Sequence, residues 1–182
     1  MSCKSFIYLE IVTESIPIPN TNFNVRIFRL CHICPFLSSA FLLTRNDASS
    51  QASILYLGDT GPDDVEQIIQ SNNRTYFPRY LDQMWQSISP LIANNRLKAI
   101  FIEVSFANDR PDNMLFGHLT PNWLFKELNQ LNQYQSIEQV KIIITHIKPE
   151  RGAKQKIIRE LRNGNRFNFD LVFPEQGQSF WV

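Results

Sequence analysis

Three side chains able to bind a metal or move a proton stand at the ends of apolar runs. Asp59 follows SILYL (Ser53–Leu57), Glu103 lies near the end of AIFIEV (Ala99–Val104), and His146 follows VKIIIT (Val140–Thr145) directly. Ligands of α/β sheets bind beyond the carboxyl ends of the strands, so these three should share one sheet edge. The other two histidines are also placed suggestively: His32 between two extended segments, and His118 in FGHLT just before a capped helix. His and Asp on converging strand ends are the residue types that hold Zn²⁺ or a similar ion. Gly58, Gly61 and Gly117 flank Asp59 or His118, where a backbone needs positive φ or close approach.

Each residue alone has a plainer reading: Asp59 as a turn former, His118 as a loop residue, His146 as a satisfied strand-end histidine, and Glu103 as the partner of an Arg or Lys. Asp59-Thr60-Gly61 is also the catalytic triplet of aspartic proteases, but those need two such carboxylates and this chain carries one copy. Cys31 and Cys34 bracket His32 with the spacing of half a zinc ribbon or of a redox pair. With no second CxxC, the expectation is two reduced thiols acting as small buried hydrophobes.

The elements that must position these residues are legible from periodicity. Phe23, Val25 and Ile27 alternate with polar neighbours as a half-buried strand, a second extended stretch runs from Phe36 to Leu43, and Asn46 to Gln51 reads as a hairpin loop. Four apolar runs suit buried strands: Ser53–Leu57, Ala99–Val104, Val140–Thr145 and Phe169–Phe173. Between them, Trp85, Ile88, Leu91 and Ile92 share a helix face, with Pro90 expected to kink or end the helix. A second helix starts at the N-cap Thr120 with Pro121 in its first turn and carries Leu124, Leu128 and Leu131. A third carries Ile157, Ile158 and Leu161 and stops near Gly164. Strands alternating with helices predict an α/β layered domain with a hairpin at its N-terminal end. Trp85, Tyr76 and Phe77 suit either the core or stacking on a base.

The 182 residues carry Lys+Arg 18 against Asp+Glu 17, a net charge of +1 with no basic run, which argues against nucleic acid or a membrane surface as partner. No apolar run approaches the roughly 18 to 20 residues needed to span a bilayer, and the start MSCKSFIYLE lacks a signal-peptide core, so a soluble cytoplasmic protein is expected.

Four strings in order, LGDTGPD (Leu57–Asp63), IFIEVSF (Ile100–Phe106), LFGHLTP (Leu115–Pro121) and ITHIKP (Ile144–Pro149), with SSAFLL (Ser38–Leu43) and His32 ahead of them, resemble the class II cyclic-nucleotide phosphodiesterases of the metallo-β-lactamase fold. The resemblance implies an αββα layered domain over residues 1–182 and zinc-dependent hydrolysis of 3′,5′-cAMP, with cGMP as a further substrate, to the 5′-monophosphate. It implies that His32, Asp59 and His146 are metal ligands, with Asp59 bridging two Zn²⁺ ions. It further implies that His118 is the general acid at the leaving oxygen and that Glu103 orients it. Such chemistry needs a strong nucleophile at neutral pH, charge neutralisation on the phosphate and a proton for the departing O3′.

The departure from the family is as specific as the match. The family's His-x-His-x-Asp-His motif, which supplies further metal ligands, has no counterpart here. The chain therefore reads as an N-terminally incomplete domain, the C-terminal half of such an enzyme, whose activity alone is in doubt and which either needs its missing half or self-associates. The competing reading is a catalytically inactive α/β module that binds a nucleotide or a protein through the old site.

Overall fold

The computed structural model describes residues 14–47, 51–71, 78–179 and 181. Its centre is one seven-stranded sheet in the order of the chain: β1 (Ile16–Pro17), β2 (Phe23–Cys31), β3 (Leu37–Arg45), β4 (Ser53–Leu57), β5 (Leu97–Glu103), β6 (Lys141–Thr145) and β7 (Asp170–Val172). Strands β1 to β4 pair antiparallel, as short connections allow, whereas β4 to β7 are parallel and need crossovers. The crossovers carry α1 (Asp63–Ser71) and α2 (Tyr80–Ala93), then α3 (Pro121–Tyr134), then α4 (Ala153–Gly164).

Cross-strand register decides which residues face the helices. Leu42, Leu55, Ile100 and Ile142 lie opposite one another along one row. All four are buried in a single core with Leu81, Met84, Trp85 and Ile88 of α2 and Leu124, Leu128 and Leu131 of α3. The neighbouring row, Ile27, Phe41, Tyr56 and Phe101, must point to the opposite face because side chains alternate along a strand. Tyr56 is 46% and Phe41 39% exposed there. The described residues thus form one sheet and one helix layer, the α/β half of the expected four-layer arrangement.

All four buried runs are strands, and Thr120 caps α3 by accepting from the Trp123 N–H at 3.5 Å, with Pro121 in the first turn. Trp85 is wholly buried core. Tyr76 and Phe77, and residues 48–50 of the predicted hairpin loop, lie outside the described residues.

Three expectations need correction. Pro90 does not end α2, which continues to Ala93. The proline removes the N–H that would reach the Gln86 carbonyl, but that oxygen accepts from the Ser89 hydroxyl at 2.9 Å, and the helix ends soon after. Helix α1 was not anticipated from the sequence. The third correction concerns the cysteines: Cys31 and Cys34 are joined as a disulfide instead of standing as free thiols. The turn after β2 brings their Cα atoms to 5.4 Å, inside the range a disulfide spans.

Candidate active site

The carboxyl ends of β4, β5 and β6 bring Asp59, Glu103 and His146 to one edge, and loops add His32 and His118. Ligating atoms of His32, Asp59 and His118 all lie within 4.8 Å of one another. His146 Nε2 is 3.5 Å from Asp59 Oδ1, with both side chains partly exposed. The three imidazoles form one array: His118 stacks on His146 with centroids 5.5 Å apart and meets His32 edge-on at 4.9 Å. All five residues singled out in the sequence therefore belong to one constellation.

Glu103 forms its buried floor, being 1% exposed. One oxygen lies 2.6 Å from His118 Nδ1 and accepts from the Thr60 N–H at 3.2 Å; the other is 2.6 Å from the Ser105 hydroxyl and 3.5 Å from the Leu119 N–H. A carboxylate can only accept, so His118 carries its proton on Nδ1 and its Nε2 is the atom free to work. Ser105 also lies 3.0 Å from the His146 carbonyl oxygen, linking the ends of β5 and β6. No role for Ser105 follows from composition; the usable signal was its position two residues after Glu103, on the same side of an extended chain.

Backbone geometry sets the loops. Phe116 and Gly117 have φ of +51° and +73°, which turns the Gly117 carbonyl towards His32, whose Nδ1 lies 3.1 Å away. Donation of the Nδ1 proton there leaves Nε2 as the free lone pair of His32. A Cβ on Gly117 would sit 2.5 Å from the Ile33 nitrogen and 2.7 Å from His32 Nδ1, so only glycine lets the two loops meet. His146 itself has φ of +51°, an uncommon conformation for a residue with a Cβ. Its Nε2 also lies 3.2 Å from Lys148 Nζ.

His32, Asp59 and His118 converge as a nitrogen and oxygen donor set of the kind that suits a zinc-like divalent ion, with His146 beside Asp59. They match one such ion better than two, because a second would need donors that the described residues do not place at this edge. Beside Ser105 a cleft of about 410 Å³ opens, with Arg110, Arg151 and Lys156 on its walls together with Asp109 and Glu150, and Lys156 pairs with Asp109 at 2.6 Å.

A family model described as cAMP phosphodiesterases class-II matches residues 1–166. The chain belongs to this family. It is 39% identical over 140 residues to a probable 3′,5′-cyclic-nucleotide phosphodiesterase of Yersinia pestis, covering 72% of this chain and 38% of that one. It is 40% identical over 149 residues to a 3′,5′-cyclic-nucleotide phosphodiesterase of Aliivibrio fischeri, covering 78% of this chain and 41% of that one. The crystal structure of unliganded yeast PDE1 superposes with a TM-score of 0.70 at 26% identity, over 88% of this chain and 46% of that one. The family member therefore carries the metallo-β-lactamase fold over a matched region less than half as long as these relatives. Among the described residues, no helix is long and apolar enough to cross a membrane.

Proposed function

We propose that the chain works as the C-terminal half of a class II phosphodiesterase in the cytoplasm, hydrolysing 3′,5′-cAMP, and cGMP with it, to the 5′-monophosphate with Zn²⁺ as the metal. The convergence of His32, Asp59 and His118 within 4.8 Å, with His146 beside Asp59, carries this reading. When bound, the metal supplies a lowered pKa for water and neutralises phosphate charge. His32, Asp59 and His146 hold it. His118, fixed through Nδ1 by Glu103, would carry a second proton on Nε2 as the imidazolium and give it to the departing O3′. Arg110 and Arg151, in the cleft beside Ser105 that also carries Asp109, Glu150 and the Asp109-paired Lys156, are the cations placed to meet the phosphate.

The catalytic test mixes the purified chain with the His-x-His-x-Asp-His half of a family member and follows 3′,5′-cAMP hydrolysis with added Zn²⁺. Turnover that a chelator and His146→Ala both abolish is the expected result. Turnover indifferent to zinc or to His146→Ala would overturn it, and cyclic-nucleotide binding without any turnover would favour the inactive binding module.

A further inference from the structure

We propose that Cys31, Cys34 and Glu66 form a second metal site, separate from the histidine and aspartate cluster, which holds a zinc-like divalent ion through two thiolates and one carboxylate when the cysteines are reduced. The two cysteines stand three residues apart at the end of β2, the ligand spacing of thiolate zinc sites. Helix α1 brings the third donor. Both sulfurs and a Glu66 carboxylate oxygen lie within 4.8 Å of one another, and Glu66 Oε2 is 3.4 Å from Cys31 Sγ. That same oxygen accepts from the Cys34 N–H at 3.2 Å.

The position of the carboxylate is built into the fold. Gly61 donates its N–H to the Cys31 carbonyl at 2.9 Å, and a Cβ there would overlap the Glu66 carboxylate. Cys31 is 3% and Glu66 5% exposed, so an acidic group has been taken out of water beside two sulfurs. A carboxylate and two thiolates would repel one another in such a place, and a divalent cation offsets all three charges. Two soft sulfurs with one oxygen suit zinc, with a fourth position left open.

The disulfide form cannot coordinate in this way, because the sulfur electrons needed are in the S–S bond. A phosphine with water restores the donors: the phosphine gains oxygen and loses two electrons, the S–S bond breaks, and each sulfur takes one proton from the water. Binding M²⁺ then releases those two protons. His32 lies between the two cysteines, so the bound ion ties the segment that carries it to α1.

Cobalt(II) serves as the probe, since thiolate ligation alone produces a sulfur-to-cobalt charge-transfer band in the near ultraviolet; the histidine and aspartate cluster has no sulfur and gives none. The phosphine-reduced 182-residue chain is expected to develop the band at one cobalt per chain, and the untreated disulfide form to show none. Cys3→Ser and Asp59→Ala should retain the band, Cys34→Ser should lose it, and Glu66→Gln should weaken cobalt binding about tenfold or more. Far-ultraviolet circular dichroism confirms that each variant is folded, and the reduced unmutated chain tests the site without any substitution. No band in the reduced chain, a band that survives Cys34→Ser, or affinity unchanged by Glu66→Gln overturns the site. Loss of the band in Asp59→Ala overturns its separateness. None of these outcomes touches the phosphodiesterase reading, which has its own assay.

Discussion

At the residue scale, Asp59 and His118 make opposite predictions for the same measurement. Asp59 is a ligand in the proposed site, so Asp59→Ala should weaken zinc binding at least about tenfold, as measured by competition with a chromophoric chelator. His118 is tied through Nδ1 to Glu103, so His118→Ala should leave zinc affinity near that of the unmutated chain. In the reconstituted enzyme the same change should slow turnover by roughly 10²- to 10⁴-fold, the usual worth of a general acid. Equal loss of zinc in both variants would make His118 a ligand, as its closeness to His32 and Asp59 allows. Gly117→Ala should cost about 1–3 kcal/mol of stability, read from urea unfolding, because the new Cβ meets both an unfavourable φ and the Ile33 nitrogen. Of the site residues, Asp59, Glu103 and His146 were visible in sequence because each ends an apolar run. Glu66 was not, because nothing in its spacing says what it touches, and Ser105 offered only its place two residues after Glu103.

At the scale of elements, a buried pair of carboxyl groups joins α1, α2 and α3. Asp63, the first residue of α1, accepts from the Leu81 and Asp82 N–H groups at 3.2 and 2.9 Å, satisfying two otherwise unpaired donors in the first turn of α2. Its own N–H reaches Glu127 of α3 at 3.3 Å, and Trp85 of α2 donates to the other Glu127 oxygen at 3.3 Å. Burial, reinforced by the neighbouring Asp63 charge, pushes the Glu127 carboxyl up to about 7. Burial raises Asp63 too, against the two N–H groups that lower it. Between the ordinary value of 4.5 and about 7 the folded chain holds a proton on Glu127 that the unfolded chain has released. Stability should therefore fall as pH rises through that window, by on the order of 3 kcal/mol for Glu127. Glu127→Gln cannot ionise, so its urea midpoints should depend less steeply on pH over the same range. A slope equal to that of the unmutated chain would show that Glu127 is not the group responsible. Helix α1, which the sequence reading lacked, is the element that anchors this pair.

At the scale of the whole molecule, helices cover one face of the sheet among the described residues. Ile27, Phe41, Tyr56 and Phe101 run across the other face, with Phe41 and Tyr56 more than a third exposed. The curated relatives are more than twice as long as the region matched, which fits an apolar face packed against further layers of the same domain. By itself the chain should self-associate through this face as concentration rises. Sedimentation velocity on the Phe41→Lys/Tyr56→Lys double variant should show a shift towards monomer, with circular dichroism unchanged because neither side chain belongs to the helix-covered core. A chain monomeric at all concentrations would count against an uncovered face.

The sequence by itself determined the positions of β2 to β7, the capped start of α3 and the shared edge of Asp59, Glu103 and His146, because hydrophobic period and strand-end placement are local properties of the chain. It also carried the family likeness, through short strings whose order survives without knowledge of the fold. Only the tertiary structure decided that Glu103 lies beneath His118 with Ser105 and the Thr60 and Leu119 amides around it. The same holds for the meeting of Glu66 with the cysteine pair and of Asp63 with Glu127. Apart from Glu103 with Ser105, these contacts join residues far apart in the chain, and what brings them together is the parallel crossovers and the φ values of their loops, which have no periodic trace in the sequence.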